Sequence, residues 1–359
     1  MKEKIVLGIE TSCDDTSMAI IKGSKNTRPE ILAFESFSQE TLLRVWGGVV
    51  PEIASRNHLE KIGPLLQSVL TKANVKLSEL DLIGVTTFPG LLGPLLTGLN
   101  AAKTISLIHK KAIIPVNHLF AHLEAIHLSE DVTYPYLGLL VSGGHSLFCI
   151  VHSETEMDVI GSTIDDAAGE AFDKGGKLLG LGYPAGRIID DISKEGNEKY
   201  HEFPIGLRGS KDASLSFSGL KTSLRHHIEK NKEYMVHEPQ NLTQKQKDLI
   251  ASYQYAIVKA LSLKLKYALQ IAKEKTGKDL HIVVGGGVAC NSRLQEMAKI
   301  MCKERGAKCF TVPNEFNVDN GLMIAWQGIL QYKAGTRMKI EDTQIMPYQR
   351  TDDIKVNWI

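Results

Sequence analysis

The sequence predicts an α/β protein built from two lobes of similar layout. Short apolar runs typical of strands alternate with longer stretches of helical periodicity along most of the 359 residues. Two stretches, starting at residues 4 and 136, share one plan: a strand, a tight turn of small residues and a returning strand. The chain is also too long for one ordinary hydrophobic core. We therefore expect an N-terminal lobe of residues 1–134, a C-terminal lobe of residues 135–325, and a final helix and tail of residues 326–359 that can cross back to the N-terminal lobe.

Composition narrows the class of protein. Hydrophobic residues make up 43% and charged residues 23% of the chain, which is typical of a soluble globular protein. The net charge of +1 gives no overall attraction to nucleic acid, so an RNA contact would have to be a local basic patch. The five cysteines are odd in number and form no CxxC pair, which argues against a disulfide framework and a cysteine zinc site. Because no signal-peptide core, transit-like segment or membrane-length apolar run occurs, we expect a cytoplasmic protein.

The N-terminal lobe begins with a hairpin pattern and continues as alternating strands and helices. Strands are predicted at residues 4–10, 18–21, 31–34, 82–87 and 112–116, and helices at 52–73, 95–109 and 118–122. Gly63-Pro64 should kink the first of these helices, because proline lacks the N–H that the helix ladder uses.

The C-terminal lobe repeats the hairpin pattern and then becomes mainly helical. Strands are predicted at residues 136–141, 147–151, from 282 and at 308–312, and helices at 165–177, 244–275, from about 291 and up to about 332. Residues 178–186 and 231–247 should be loops. Asp165 and Asp166 lie near the first turn of a predicted helix, where acidic side chains favour the helix dipole. Residues 199–232 have a mild basic excess, which indicates a solvated surface that could touch phosphate.

His118 and His122 have a spacing that can bind a metal ion. If the segment is helical, residues i and i+4 share one face, with Cβ atoms roughly 5–6 Å apart. Two neutral imidazoles at that distance can bind one ion, and the alternative is a pair of histidines on a half-buried helix face. Spacing alone does not establish the site, because a third ligand is needed.

Turns follow four of the predicted strands: a turn of small and acidic residues at 11–15, and glycine-containing turns at 89–93, 142–145 and 285–287. Backbone N–H groups in such turns suit an anion, and together the four turns predict a cleft that holds a nucleotide. The absence of GxxxxGK[ST] excludes a P-loop, and the absence of a convincing GxGxxG disfavours a dinucleotide-binding Rossmann fold.

Eight motifs, in order from residue 8 to residue 325, resemble those of the TsaD/YgjD family in its bacterial form. This is the family of tRNA adenosine threonylcarbamoyltransferases, formerly described as O-sialoglycoprotein endopeptidases. The motifs are GIETSCD at residues 8–14, VVPEIASRNH at 49–58, NHLFAH at 117–122, LVSGGHS at 140–146, the stretch 165–174, FSGLK at 217–221, GGGVACN at 285–291 and DNGLMIA at 319–325. Two positions depart from the usual pattern: Phe120-Ala121 replace Glu-Gly or Glu-Ala, and Phe88 replaces the first glycine of Gly-Pro-Gly.

The resemblance implies an actin/Hsp70-like ATPase (ASKHA) fold with two ribonuclease-H-like lobes and a central cleft. It implies transfer of the threonylcarbamoyl group from threonylcarbamoyl-adenylate to the exocyclic amine of the adenosine just 3′ of the anticodon, in tRNAs that read codons beginning with A. The family's metal ligands fall on His118, His122 and Asp319, so that each lobe would give ligands to one ion in the cleft. Two histidines and a carboxylate suit iron(II) in the first place and zinc in the second.

Further residues are assigned by the same resemblance. Nucleotide and substrate contacts fall on Leu140, Val141, Ser142, Gly143, Gly144, Asp173, Gly186 and Asn291. Without the resemblance, Asp173 would be a helix-surface carboxylate and Asn291 a helix N-cap. The candidates to line the cleft are Glu10, Asp14 and His145, and the candidates to contact the tRNA backbone are Lys221 and Arg225.

Cofactors and partners follow from the resemblance as well. It implies one divalent metal ion per subunit and threonylcarbamoyl-adenylate as substrate, with ATP or AMP in the same cleft. The implied partners are tRNA, a TsaB-like paralogue, a TsaE-like ATPase and an upstream adenylate-forming synthase, with no membrane.

Two other functions compete with the transferase. A metal-dependent glycoprotein endopeptidase of the zincin type needs His-Glu-x-x-His, whereas Leu119 follows His118 and no acid lies between the histidines. An ATP-binding kinase or scaffold of the same superfold would need a phosphoryl site but no histidine pair.

Overall fold

Contacts within the chain divide it into two compact units. The computed structural model describes residues 3–24, 27–238, 240–336 and 338–347. Unit 1 comprises the described parts of residues 1–134, 151–158 and 312–359, and unit 2 comprises those of residues 135–150 and 159–311. Residues 312–325, which the sequence analysis places in the C-terminal lobe, are therefore part of unit 1.

The first part of unit 1 alternates strands and helices. Its strands are β1 (Lys4–Glu10), β2 (Asp15–Ser24), β3 (Thr27–Ser38), β4 (Leu82–Phe88) and β5 (Ala112–Asn117), and its helices are α1 (Glu40–Leu43), α2 (Pro51–Ala73), α3 (Leu92–His109) and α4 (His118–Glu124). Short 3-10 helices lie at Arg44–Trp46, Leu77–Glu79 and Ala125–Leu128.

The strands of unit 1 form one sheet in the order β3-β2-β1-β4-β5. β2 pairs antiparallel with β1 and β3, whereas β1, β4 and β5 run parallel. The carboxyl ends of these three strands therefore meet at one edge of the sheet, the edge at which open α/β sheets bind ligands. Glu10, Phe88 and Asn117 are the last residues of the three strands.

Unit 2 has a second sheet and a larger set of helices. Its strands are β6 (Tyr136–Val141), β7 (Ser146–Ser153), β8 (Glu156–Ser162), β9 (Ile282–Gly285) and β10 (Cys309–Thr311), in the sheet order β10-β9-β6-β7-β8, and the tip of the β7–β8 pair at residues 151–158 is counted with unit 1. Its helices are α5 (Ala168–Leu179), α6 (Gly186–Ser193), α7 (Ser218–Lys230), α8 (Gln244–Thr276) and α9 (Ser292–Lys303), with short 3-10 helices at Lys232–Tyr234 and Gly287–Cys290.

The long helix α8 organises the core of unit 2. Thr243 and Gln246 cap its first turn reciprocally, and Gly277 ends it in a left-handed conformation. Its buried face includes Leu249, Ile257 and Leu265, which pack into one hydrophobic cluster with residues of the sheet and the other helices of the unit. This burial explains why a helix of mixed polar and apolar sequence is stable.

The chain returns to unit 1 with α10 (Asn314–Asn317) and α11 (Gly321–Ala334), and α11 lies directly on the first sheet. Leu7 and Ile9 of β1 pack into the core shared with α2 and α3, whereas Gly8 between them faces α11. A Cβ at Gly8 would lie 2.0 Å from the Gly321 oxygen, and one at Gly321 would lie 2.6 Å from the Ala19 nitrogen. The missing side chains thus let the start of α11 reach the sheet backbone.

Most of the predicted elements are present, and the α/β fold class is confirmed. Apart from the short 3-10 helices, five of the described elements were not predicted: the strand β8 and the helices α1, α6, α7 and α10. Of these, α6 starts in a glycine- and proline-rich stretch that resembles a loop. The helix predicted from residue 165 starts at Ala168, and α2 continues through Pro64. Within the part of the chain that the structure describes, no helix is both long enough and apolar enough to cross a membrane.

Candidate functional site

The two histidines of the HxxxH spacing lie on α4, immediately after β5. The Asn117 side chain caps this helix by accepting hydrogen bonds from the N–H groups of Leu119 and Phe120, at 2.8 and 3.1 Å. All seven residues of α4 are buried, so His118 and His122 are held in place by packing on every side. The two histidines therefore do not lie on a half-buried helix face, which was the alternative to a metal site that their spacing alone allowed.

Asp319 joins the histidine pair from the turn before α11. The Nε2 atoms of His118 and His122 are 3.2 Å apart, and Oδ1 of Asp319 lies 3.5 Å from the first and 3.0 Å from the second. Ligand atoms about 2.1 Å from one ion, at angles between 90° and 110°, are separated by about 3.0–3.4 Å. The three donor atoms therefore have the spacing, and the residue types, that fit a divalent transition-metal ion.

All three of these residues belong to unit 1, which corrects the expectation that each lobe supplies ligands. The sequence separation between His122 and Asp319 suggests two lobes, but the chain re-enters unit 1 at residue 312. Asn320 caps α11 by accepting from the Met323 N–H, and the Gly321 N–H donates to Ser17 at the sheet. These contacts anchor the turn that carries Asp319.

The histidines carry opposite shifts in pKa. Although burial opposes protonation of His118, the carboxylates of Asp319 and Glu10 raise its pKa to about 9. Burial and the adjacent His118 lower the pKa of His122. Near neutral pH His118 therefore carries protons on both Nδ1 and Nε2, and an ion that binds Nε2 must displace the proton on that nitrogen.

Glu10 and Asp14, predicted as cleft residues without a role, lie near this cluster in unit 1. Glu10 is fully buried at the end of β1, with Oε2 3.1 Å from Nδ1 of His118. Although burial opposes ionisation, His118 lowers the pKa of Glu10. Burial and the charge of Asp319 raise the pKa of Asp14, and the same two causes raise the pKa of Asp15 to about 7.

The sequence analysis assigned no role to Ser12, Thr86 or His58, although each supports the cluster. Ser12 Oγ lies 3.2 Å from Nδ1 of His118, and the Thr86 hydroxyl donates to Glu10. His58 of α2 contacts Thr16 at 2.7 Å and the Cys13 carbonyl at 3.0 Å, which fixes the turn after β1. The parallel order of β1, β4 and β5 is the signal that would have brought Glu10, Thr86 and His118 together.

In unit 2, the predicted substrate loop follows β6, whose last residues are Leu140 and Val141. The Ser142 N–H donates to the His145 carbonyl at 2.8 Å, which closes the turn, and the His145 N–H donates to the Ser142 hydroxyl. Gly143 and Gly144 are exposed, and a Cβ on either would meet no atom within 4 Å. The backbone of this turn is therefore open to the surroundings at both glycines.

Asp173 and Asn291 both have structural partners in unit 2. Asp173 accepts from the Ala185 N–H at 2.8 Å and so fixes the residue before Gly186, which begins α6. Asn291 caps α9 by accepting from the Leu294 N–H, as its residue type predicts, and donates to Gln254 at 2.7 Å.

A cavity of about 560 Å³ opens beside the Asn291 cap, where Gln254, Tyr255 and Ser292 contribute to its wall. Asp190 accepts two hydrogen bonds from Ser292, through its N–H and its hydroxyl. The sequence analysis missed Asp190, whose helix α6 it did not predict.

The two predicted tRNA contacts differ in their surroundings. Lys221 donates to Asp166 at 3.2 Å and is only partly exposed, whereas Arg225 is exposed on α7. Asp165 does not start its own helix: it accepts from the N–H groups of Phe217 and Ser218 and from the hydroxyls of Ser216 and Ser218. The FSGLK motif is therefore held at the start of α7 by a carboxylate about fifty residues earlier.

The fold and the cluster define a class: an α/β protein with two five-stranded sheets that carries two buried histidines beside a partly buried aspartate. Solved structures of low sequence identity support the fold. The chain is similar to HypF of T. kodakarensis, with 14% identity, a TM-score of 0.60, and coverage of 93% of this chain and 48% of that one. It is also similar to component A of (R)-2-hydroxyglutaryl-CoA dehydratase from Acidaminococcus fermentans, with 15% identity, a TM-score of 0.52, and coverage of 93% and 99%.

Sequence comparison identifies the family. The family model for TsaD, tRNA N6-adenosine threonylcarbamoyltransferase, matches residues 30–326. Relatives with that name include those of Thermosipho africanus, 42% identical over 92% of this chain and 95% of the relative, and Ruegeria pomeroyi, 39% identical over 92% and 90%. The chain therefore belongs to the family of tRNA N6-adenosine threonylcarbamoyltransferases, and the resemblance drawn from the eight motifs is confirmed.

Proposed function

We propose that this chain transfers a threonylcarbamoyl group from threonylcarbamoyl-adenylate to the exocyclic amine of the adenosine 3′ of the anticodon, in tRNAs that read codons beginning with A. The amine nitrogen forms a bond to the carbamoyl carbon, the bond from that carbon to the phosphate oxygen breaks, and AMP leaves while the amine loses a proton. The convergence of His118, His122 and Asp319 in a chain of this family carries the proposal.

His118, His122 and Asp319 would hold one divalent ion, iron(II) in preference to zinc. When bound, such an ion supplies positive charge that stabilises the oxygens of the transferred group. The packing around α4 holds the donor atoms of His118 and His122 in place, because this helix is buried over its whole length. The proton on Nε2 of His118 must leave before an ion can bind to that nitrogen.

The loop after β6 would bind the nucleotide part of the substrate. The N–H groups of Gly143 and Gly144 can reach phosphate oxygens without interference from side chains. Asp173, Gly186 and Asn291 surround the start of α6 and α9, where carboxylate and amide oxygens suit ribose hydroxyls. Leu140, Val141 and Ser142 place the loop, and ATP or AMP would occupy the same position as the adenylate. We assign His145 to the loop's geometry through its backbone.

The chain would act with partners in the cytoplasm, where tRNA is found. An adenylate-forming synthase would supply the unstable substrate, and a TsaB-like paralogue with a TsaE-like ATPase would complete the transfer complex. Lys221 and Arg225 are our candidates for tRNA contact, with Arg225 preferred because Lys221 already pairs with Asp166. No observation favours the peptidase, since Leu119, Phe120 and Ala121 between the histidines are buried and apolar.

A reconstituted reaction tests the function. The purified chain, the synthase and both partners would be incubated with threonine, bicarbonate, ATP and a tRNA transcript that reads codons beginning with A. We expect mass spectrometry of the digested tRNA to detect threonylcarbamoyl-adenosine at the position 3′ of the anticodon. A transcript with guanosine at that position is the matched control.

Absence of product with every partner present would refute the transferase proposal. His118→Ala combined with His122→Ala should abolish product, and full activity of that double variant would remove the metal centre from the mechanism.

A further inference from the structure

We infer that Glu10 is a positioning residue for the metal centre: its buried carboxylate fixes the ring of His118 and keeps a proton on Nδ1, so that Nε2 faces the ion. The inference rests on the proposed metal centre. Glu10 would not be a ligand itself, because it contacts His118 at Nδ1, whereas Nε2 is the nitrogen that lies near Asp319 and His122.

The hydrogen bonds around Glu10 determine which group donates. Its Oε1 accepts from the Ser12 N–H and its Oε2 accepts from the Thr86 hydroxyl. An ionised carboxylate can only accept, so the contact of 3.1 Å with His118 requires a proton on Nδ1. A neutral imidazole protonated at Nδ1 has its lone pair on Nε2, which is the atom 3.2 Å from His122 and 3.5 Å from Asp319.

Ser12 does not provide the same control. Its hydroxyl lies 3.2 Å from Nδ1 of His118 and can either donate or accept, so it is compatible with both tautomers of the ring. The Glu10 carboxylate is compatible with only one tautomer, the one that carries its proton on Nδ1. The carboxylate therefore makes His118 ready for the ion in a way that the hydroxyl cannot.

His122 lacks an equivalent partner. Its Nδ1 is buried and has no hydrogen-bond partner among the residues that the structure describes. Of the two candidate ligands, only His118 is thus held by a hydrogen bond at Nδ1, the nitrogen that would not bind the ion. Outer partners of metal-bound histidines orient the ring and raise its affinity for the metal. The orientation of the centre should therefore depend on Glu10 more than on any other residue outside the ligand set.

The position of Glu10 follows from the topology of the sheet. It ends β1, Thr86 lies near the end of the neighbouring parallel strand β4, and His118 follows the end of β5. The Thr86 hydroxyl holds the carboxylate from the strand in between. Three adjacent strand ends thus supply one connected chain of hydrogen bonds to the candidate ligand.

Metal affinity, measured without tRNA or partners, tests this inference. Glu10→Gln keeps the size of the side chain but places an amide N–H opposite groups that donate. Cobalt(II) would be titrated into the full chain in competition with a chromophoric chelator, and the visible spectrum of the bound cobalt recorded. We expect Glu10→Gln to weaken cobalt(II) binding roughly 10- to 100-fold and to change the spectrum.

Glu124→Gln is the matched control. Glu124 is also a fully buried carboxylate in unit 1, but its contacts include the Tyr134 hydroxyl at 2.6 Å and Nε2 of His127 at 3.9 Å, and neither residue is a candidate ligand. We expect this variant to bind cobalt(II) with the affinity and spectrum of the wild type. Far-UV circular dichroism with chelator present would show that each variant is folded.

Wild-type affinity and spectrum in folded Glu10→Gln would overturn the inference while leaving the metal centre and the transferase intact. If Glu10→Gln does not fold, Thr86→Val decides, because it removes only the hydroxyl that holds the carboxylate: a partial loss of affinity supports the inference and no loss overturns it. A wild-type chain that binds no cobalt(II) would overturn the metal centre and this inference together, whereas the transferase assay would remain a separate test.

Discussion

Single residues after β1 concentrate negative charge beside the candidate metal ligands. Burial and the charge of Asp319 raise the pKa of Asp14 and of Asp15, and the charge of Asp14 also raises that of Asp15. Oδ1 of Asp15 is buried and accepts no hydrogen bond from the described part of the chain. A hydrogen bond with the Ser38 side chain lowers the pKa of Asp15 but does not outweigh burial and the charge of Asp319. A buried carboxylate with so little compensation destabilises the folded state when it ionises.

Asp15→Asn should therefore stabilise the metal-free protein, and more so at higher pH. The folded pKa of about 7 exceeds the ordinary pKa of an aspartate, which is about 3.9 in the unfolded chain. The folded state therefore binds the proton more tightly, and stability falls as pH rises from about 4 to 7. Removing the charge should raise the free energy of unfolding at pH 8 by about 1–4 kcal/mol, at roughly 1.4 kcal/mol per pKa unit, and by less at pH 5. Urea unfolding with chelator present would measure both values.

The exposed carboxylate of Glu60 on α2 provides the comparison for this experiment. Glu60→Gln should change stability little at either pH, since surface substitutions usually have small effects. Equal effects of Asp15→Asn at pH 5 and pH 8 would contradict the expected pKa.

Residue types and spacing predict the roles of some side chains in the candidate site and its surroundings, but not those of others. The i, i+4 spacing of His118 and His122 is local, so the sequence contains it. The partner of Asp165 is not local, because its carboxylate accepts hydrogen bonds from residues 216–218. The sequence around Asp165 suggests instead that it favours the dipole of the helix predicted to start there. Likewise, Glu10 lies at the end of an apolar strand, and its contact with His118 depends on the order of strands in the sheet.

Among the elements, α11 determines where Asp319 lies. The helix approaches β1 and β2 so closely that Gly8 and Gly321 have no space for a side chain. Gly321 is two residues after Asp319 and donates its N–H to Ser17. Displacement of this helix start would therefore move the third candidate ligand away from the histidines.

Gly321→Ala should impair both stability and metal binding. Its Cβ would lie 2.6 Å from the Ala19 nitrogen and 2.7 Å from the Met18 carbonyl carbon, and both are backbone atoms of β2 that cannot move aside cheaply. We expect a loss of about 1–3 kcal/mol in unfolding free energy, as for overpacking, and weaker cobalt(II) binding. Thermal unfolding and chelator competition would measure the two effects.

Gly63→Ala serves as the control for that variant. Gly63 lies inside α2, where a Cβ would meet no atom within 4 Å, so the change should be neutral or stabilise by up to about 1 kcal/mol. Normal metal affinity of Gly321→Ala would show that Asp319 does not depend on the position of α11.

Strong periodicity allows most elements to be predicted, and weak periodicity explains the exceptions. The apolar runs of β1, β4, β5 and β6 are buried almost throughout, as their composition indicates. The partly exposed strand β8 and the eight-residue helix α6 lack such a signal. Short elements at the edge of a fold are fixed by neighbours that the local sequence does not contain.

For the whole molecule, exposed apolar side chains indicate where unit 1 could meet a partner. Val45 and Trp46, after α1, are 86% and 62% exposed, and Leu59 on α2 is 70% exposed. Large exposed apolar groups on helices are common at protein interfaces. We expect the TsaB-like paralogue to bind this helical surface.

Val45→Asp combined with Leu59→Asp should weaken binding of the TsaB-like paralogue at least 10-fold, which corresponds to about 1.4 kcal/mol, without changing cobalt(II) affinity. Leu107→Asp is a suitable control, because Leu107 is 66% exposed in the same unit but lies on α3. Isothermal titration calorimetry would measure both affinities, and equal weakening by the two changes would argue against a specific surface.

The discontinuity of unit 1 has a consequence during protein synthesis. The ribosome makes the sheet β1–β5 first, but α11 and Asp319 follow only after residues 135–311 have been translated. At about 5–20 residues per second, the sheet waits roughly 10–40 seconds for the helix that covers it, because β5 ends at Asn117 and α11 begins at Gly321. The nascent chain can therefore present two histidines to an ion, but not the aspartate, until unit 2 is complete. Acquisition of metal by the full ligand set is thereby deferred to the last stage of translation.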